Sequence, residues 1–213
     1  MEPQIRYVRS ADGTTIATYT IGESRERPTL IFTSSTSGLT TPSTEWQVPS
    51  IRGGLQLLAE RRKVVKFDLL GTGLSARDVM DFSIEALVSD IDAIAAQASE
   101  DPVDFFAATV SGPIGIAFAA RRPDRVRRLV LWDSVLRGRD FRTPPLWRAT
   151  GPIAEIDWEF FLRIRAMQSF GWTETARRIA EAAKGVVTPA SSSSSSMKAR
   201  PERPPGASPR VPR

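Results

Sequence analysis

Among the 213 residues there is no histidine and no cysteine. Without histidine the chain lacks the side chain that most readily moves protons near neutral pH. Without cysteine it forms no disulfide and no thiolate metal site, and its redox compartment is left undetermined. A zinc site would have only carboxylates to draw on, an unsuitable set, so no metal and no cofactor are expected. Long hydrophobic runs are absent too. No segment reaches the roughly 18 apolar residues of a membrane span, and the opening MEPQIRYVRSADG lacks the continuous apolar stretch of a secretory signal. The expectation is a cytoplasmic protein with no membrane contact.

The net charge of +5 is unevenly placed. Val186–Arg213 carries Lys198, Arg200, Arg203, Arg210 and Arg213 against Glu202, a net of +4, which leaves +1 for everything before it. Most of the basicity belongs to this end, so nucleic acid is not an expected partner of the folded part. The same stretch holds six consecutive serines, Ser191–Ser196, followed by Pro, Arg, Ala and Gly without apolar periodicity. Such a composition does not offset its own ordering entropy, and residues 186–213 are expected to be a disordered basic tail.

What is present reads as alternating strands and helices. Ile5–Val8 and Ile16–Ile21 flank the turn signal Asp12-Gly13 and predict a hairpin. Thr29–Thr33 and Lys63–Phe67 are short apolar runs typical of buried strands, and a hydroxyl-rich loop to about Ser50 follows the first. Leu55, Leu58 and Ala59 give a short helical stripe. Ser83–Ala98 is the clearest helix: Ser83 suits the N-cap, and Ile84, Leu87, Val88, Ile91, Ile94 and Ala95 recur on one face. Asp90 and Asp92, two apart, do not share a face and read as solvated positions rather than a metal pair. A strand (Val103–Ala108), a helix (Gly112–Arg122) and a strand (Arg127–Trp132) follow, then helices over Asp157–Ser169 and Thr173–Lys184. This order implies a mostly parallel, doubly wound α/β sheet. Gly71-Thr72-Gly73 lacks a third glycine and a following helix, so it reads as a turn rather than a dinucleotide site.

In the phrases IRYVRSADGTTIATYTIG, Glu45-Trp46…Pro49, KFDLLGTGLSARD (Lys66–Asp78), DFSIEALVSDIDAI (Asp81–Ile94) and GPIGIAFAARRPDRVRRLVLWDS (Gly112–Ser134), the chain resembles the α/β-hydrolase fold family. The likeness is to single-domain hydrolases and to hydrolase-like modules of adenylate cyclases and transcriptional regulators, and it runs from about Ile5 to Gly185. The resemblance implies a core over 1–135, cap-like helices over 145–185, and a sheet that stops after its sixth strand. Two further strands are then missing, as a shifted reading frame would produce.

The resemblance also implies a nucleophile elbow, small-x-nucleophile-x-small. It falls on Ala107-Ala108-Thr109-Val110-Ser111 and puts Thr109 at the nucleophile position. In the family that residue is strained, often at positive φ, which a β-branched side chain tolerates poorly; the expectation is an elbow that has relaxed. Thr109 equally reads as a residue that closes a strand and bonds the helix start. Ser111 is a second hydroxyl candidate. Asp133 matches a position that some relatives use for the acid, and equally reads as a surface or capping aspartate. The oxyanion donors would be the Val110 N–H and the loop at Ser34 and Ser35. The histidine of the family has no counterpart. An activated hydroxyl needs a base within reach, so the expectation is a hydrolase-like chain that is catalytically defective. The alternative is a non-catalytic module that senses a ligand or binds a partner. Tryptophans 46, 147, 158 and 172 suggest an apolar pocket for a small ester-like ligand. Finally, the last strand would leave an exposed sheet edge, through which self-association is expected.

Overall fold

The computed structural model describes residues 2–33, 39–79, 81–137, 140 and 145–186, with the side chain of Trp147 left out. The last stretch of the chain, read above as a disordered tail, lies outside the described residues from 187 onward.

Six strands form one sheet: β1 (Gln4–Arg9), β2 (Thr15–Ile21), β3 (Leu30–Phe32), β4 (Val64–Phe67), β5 (Val103–Ala108) and β6 (Val126–Trp132). Their order is β1-β2-β4-β3-β5-β6. The hairpin pairs antiparallel, and β2 also runs antiparallel to β4, while β3–β4, β3–β5 and β5–β6 are parallel. The chain leaves β4 and crosses over β3 to reach β5, so the C-terminal ends of β3 and β5 flank the point where the winding reverses. In open α/β sheets that crevice is where ligands bind.

Helices α1 (Pro42–Trp46), α2 (Pro49–Ala59), α3 (Ile84–Ala98) and α4 (Gly112–Arg121) accompany the sheet. On one face, α3 and α4 bury Leu87, Val88, Ile91, Ile94, Ile114 and Phe118 against Ile31, Val65, Phe67 and Phe105. Each such fully buried side chain contributes roughly 1.5–3 kcal/mol relative to exposure. On the other face, Trp46, Leu55 and Ala59 cover Ile21 and Val64. Val64 thus faces α2 while Val65 faces α3, the period of two that a strand buried on both sides requires. Helix α3 starts as expected, with the Ala86 N–H donating to Ser83 Oγ at 3.2 Å.

Three details differ from expectation. The loop after β3 was expected to run to about Ser50, but α1 and the first residues of α2 occupy its end. Thr41 caps α1, its hydroxyl accepting from the Thr44 N–H while Thr44 Oγ1 accepts from the Thr41 N–H. This threonine pair replaces the Ser-x-x-Glu pattern that marks such a start in sequence. Leu58, placed on the buried stripe of α2, is exposed; Leu55 and Ala59 alone are buried there. Asp90 is not a solvated position. It lies buried on α3, and burial raises its carboxyl above the ordinary value of 3.8, the nearby Ser10 hydroxyl opposing the rise. Asp92 pairs with Arg122, the residue that follows α4.

Beyond β6 come α5 (Pro145–Thr150), α6 (Ile153–Ile156), α7 (Trp158–Phe170) and α8 (Glu174–Ala183). The last two pack on one another and on Leu39 and Val48 through Leu162, Ala166, Ala176, Ile179, Ala180 and Ala183. No helix among the described residues is long and apolar enough to cross a membrane.

Candidate active site

Strand β5 ends in a short 3-10 turn, Thr109–Ser111, that runs directly into α4. A helix starting so close to its own strand needs small residues where the two meet. Gly115 meets that need: a Cβ there would lie 2.8 Å from the Ala107 Cβ and 3.2 Å from the Phe105 ring. At Gly112 an added Cβ would fall 1.7 Å from Ser134 Oγ. The small residues at 107, 112 and 115 therefore let strand and helix close into a sharp turn.

Thr109 sits at the apex with φ 49°. The elbow has not relaxed, contrary to expectation. The backbone keeps the left-handed conformation although a β-branched residue occupies it, at a cost of roughly 1–2 kcal/mol. The surroundings over-determine it. Ser134 Oγ donates to the Thr109 carbonyl at 2.9 Å, and the Ala108 N–H donates to Thr33 Oγ1 at 3.1 Å. Thr33 in turn bonds the Phe106 carbonyl through both its N–H and its hydroxyl. The ends of β3, β5 and β6 are thereby tied together at the winding reversal.

The Thr109 hydroxyl is buried and has no hydrogen-bond partner among the described residues. That observation bears directly on chemistry, since an attacking hydroxyl must give its proton to something within about 3 Å. Asp133, the expected acid, follows β6 with φ 47° and is exposed. It makes no hydrogen bond to Thr109 Oγ1, and sequence order brings both residues only to neighbouring strand ends. Ser111 is buried in the first turn, and Val110, the expected oxyanion donor, is half-buried beside Thr109. Ser34 and Ser35 lie outside the described residues. Tryptophans 46 and 158 belong to different clusters and Trp172 is 89% exposed, so these three do not build a common pocket. Two clefts that share Lys63 open instead at the other end of the sheet, one of about 340 Å³ beside β1, β2 and the end of α3, the other of about 920 Å³ around the starts of β3, β5 and β6, and neither touches Thr109 or Asp133.

A second polar cluster at the end of β4 has no counterpart in the sequence reading. Lys66 lies 2.8 Å from Glu45 Oε2, both being buried, at an angle that makes the contact an ion pair rather than an aligned hydrogen bond. Thr40 donates to the other oxygen at 2.7 Å, and the ammonium also stands over the Phe32 ring at 4.1 Å. Nearby, Tyr19 donates to Asp68 Oδ2 at 2.8 Å, as does the Leu74 N–H. Burial raises the Asp68 carboxyl above 3.8, these donors opposing the rise; burial and Asp68 together push the Tyr19 hydroxyl up. Gly71 and Gly73 both have positive φ, and a Cβ at Gly73 would strike the Asp68 carboxylate. The Gly71-Thr72-Gly73 segment is thus a turn wrapped around Asp68. The available signal was Lys66 itself, a charge in the middle of a buried strand, which demands an acid from elsewhere in the chain. Among the described residues, no group of three or more acids stands together to hold a metal ion.

With this geometry in view, the comparison with known proteins is direct. A Pseudomonas aeruginosa hydrolase superposes on 89% of this chain with a TM-score of 0.66 at 18% identity, the match covering 69% of that chain. The esterase RhEst1 of Rhodococcus sp. ECU1013 superposes on 88% with a TM-score of 0.67 at 17% identity, covering 70% of that chain. The fold is that of the α/β-hydrolases. By sequence, the chain is 36% identical over 78 residues to a Rhizobium rhizogenes protein that carries the name carbamate hydrolase RutD, over 36% of this chain. It is 34% identical over 79 residues to the 2-hydroxy-6-oxo-2,4-heptadienoate hydrolase of Pseudomonas putida, over 37% of this chain. These matches span only 30% and 29% of the two relatives' own lengths. No family model matches the chain. The α/β-hydrolase-like character is carried by the sheet, the elbow and the glycines that close it.

Proposed function

We propose that this chain is an α/β-hydrolase-like module whose elbow is kept in shape but is catalytically silent. One observation carries the reading: the hydroxyl at the apex of the elbow, Thr109 Oγ1, is buried without a hydrogen-bond partner among the described residues, in a chain with no histidine to serve as base. Relatives named as carbamate and dienoate hydrolases, and solved structures named as esterases, point to small carbonyl substrates for the ancestral chemistry. Without a base, attack on such a carbonyl loses several orders of magnitude in rate.

The test is p-nitrophenyl ester turnover at pH 7–8. The native chain is expected to match a Thr109→Ala variant, and Thr109→Ser is expected to remain inactive, because it supplies a better nucleophile but no base. Turnover that disappears in Thr109→Ala would overturn the reading.

The same orphaned hydroxyl favours one companion reading, a module that binds a small ester-like ligand without converting it. A buried polar group with no partner costs about 1–3 kcal/mol, and a ligand that bonds it recovers that cost. Thermal-shift titration with aryl esters is expected to stabilise the native chain but not Thr109→Val.

A further inference from the structure

Strand β6 is an edge of the sheet: among the described residues only β5 pairs with it. Its sequence, Val126-Arg127-Arg128-Leu129-Val130-Leu131-Trp132, places Leu129 against α4, where it contacts the helix beside Gly115. Trp132 points to the opposite face, beside Phe106 at 6.2 Å. Three consecutive apolar residues remain open, Val130 and Leu131 at 45% exposure and Trp132 at 56%. An edge of this length with a free backbone ladder is a template for another strand.

We propose that the occupant is a second copy of the same strand, paired antiparallel about a two-fold axis through Val130. Charge complementarity selects both the partner and the register. Residues directly opposite in an antiparallel pair share a face, and a dyad fixes which positions meet. With Val130 opposite its own copy, Leu129 meets Leu131 and Arg128 meets Trp132, so each guanidinium lies over an indole ring, a favourable arrangement. Arg127 then lies past the end of the partner strand, which stops at Trp132 before the left-handed Asp133, and stays in solvent. No charge on the strand thus meets a like charge or an aliphatic side chain. Moving the dyad to Leu129 sets Arg127 against Leu131 and Arg128 against Val130; moving it to Leu131 puts Arg128 past the end of the partner strand and loses its indole partner. Dyads nearer the start of the strand set arginine against arginine. The closed pair makes one continuous sheet from two copies, and isologous closure of this kind stops at the dimer. The proposal rests on none of the chemistry at Thr109.

Light scattering on the full native chain tests the association, and the absence of cysteine from the chain makes crosslinking a direct test of register. Val130→Cys is expected to form a disulfide dimer under mild oxidation, since opposed Cα atoms lie about 4.5–5.5 Å apart. Neither Arg128→Cys nor Trp132→Cys is expected to crosslink to itself, because like positions are then about four residues, roughly 13 Å, out of step. A mixture of those two variants is expected to crosslink as a heterodimer. Val130→Lys, which opposes two ammonium groups at the axis on an exposed position, is expected to weaken the dimer at least tenfold while its circular dichroism stays native. A monomeric native chain, an open-ended oligomer, or crosslinking of Arg128→Cys to itself would each overturn the proposal.

Discussion

Thr109 is the residue at which cost and purpose part company. It holds a left-handed backbone that disfavours β-branched side chains and hides a hydroxyl that bonds none of the described residues. Thr109→Gly is therefore expected to stabilise the fold by about 1 kcal/mol, read as a higher urea midpoint with an unchanged slope. Asp90 gives a second test at this scale. Burial raises its folded-state pKa above the ordinary 3.8, so the folded state holds its proton more tightly than the unfolded one. That contribution is complete below about pH 3.8 and is lost as pH rises through the folded value. Asp90→Asn is expected to remove this loss: the variant gains on the native chain between mildly acidic and neutral pH, in urea titrations across that range. A gain confined to more acidic solution would show that the carboxylate is stabilised, not penalised, by its site.

At the scale of elements, two contacts decide whether the strands stay in place. The Glu45–Lys66 pair fastens α1 to β4 where no water can solvate either charge. Removing one partner leaves the other buried and alone, so Glu45→Gln is expected to cost about 3–5 kcal/mol. A joint Glu45→Leu, Lys66→Met replacement is expected to cost much less, because it removes both charges. Gly115 lets α4 approach β5, and Gly115→Val is expected to cost about 1–3 kcal/mol through overpacking against Ala107 and Phe105. Chemical denaturation of these variants checks both. Much of this level was legible in the sequence. The alternating runs placed every strand of the sheet, and the three-to-four spacing on α3 foretold its buried face, because one face in water and one in the core leaves a periodic trace. Helix α1 left no such trace: it is five residues long, and its cap is a pair of threonines. The burial of Asp90 was hidden for a related reason. Its neighbour in space, Ser10, is distant in sequence, and periodicity carries no information on such a pair.

Across the whole molecule, stability is divided among three bodies of apolar contact. The largest lies between the sheet and helices α3 and α4; another sets Trp46 and α2 on the opposite face of the sheet, and the third joins α7 and α8 to Leu39 and Val48. Because this third cluster lies off the sheet and half of it is alanine, hydrogen exchange is expected to release α7 and α8 amides through a partial opening, with β5 and α3 exchanging only on global unfolding. Equal protection of both sets would show that the molecule opens as one unit. At this scale the winding of the sheet followed from the order of strands and helices, and with it the meeting of Thr109 and Asp133 at adjoining strand ends. What the two residues do there did not follow. The tie from Ser134 to the Thr109 carbonyl, the orphaned hydroxyl and the acid turned to solvent depend on side-chain placement that no pattern of residues encodes.

The strained elbow has a consequence for the chain's future as well as its present. A residue that lowers stability is retained by selection only when it performs a task; otherwise drift replaces it with whatever the backbone prefers. Suppose position 109 is randomised and the population is passed through a screen for soluble, protease-resistant protein alone. Survivors should shift toward glycine, asparagine and aspartate, the residues at ease in the left-handed region. If threonine persisted only when the screen also demanded binding of a small ester, its survival would record a working ligand contact. If it vanished under both screens, the elbow would be a relic of an ancestral enzyme, held in shape by its neighbours and no longer by its use.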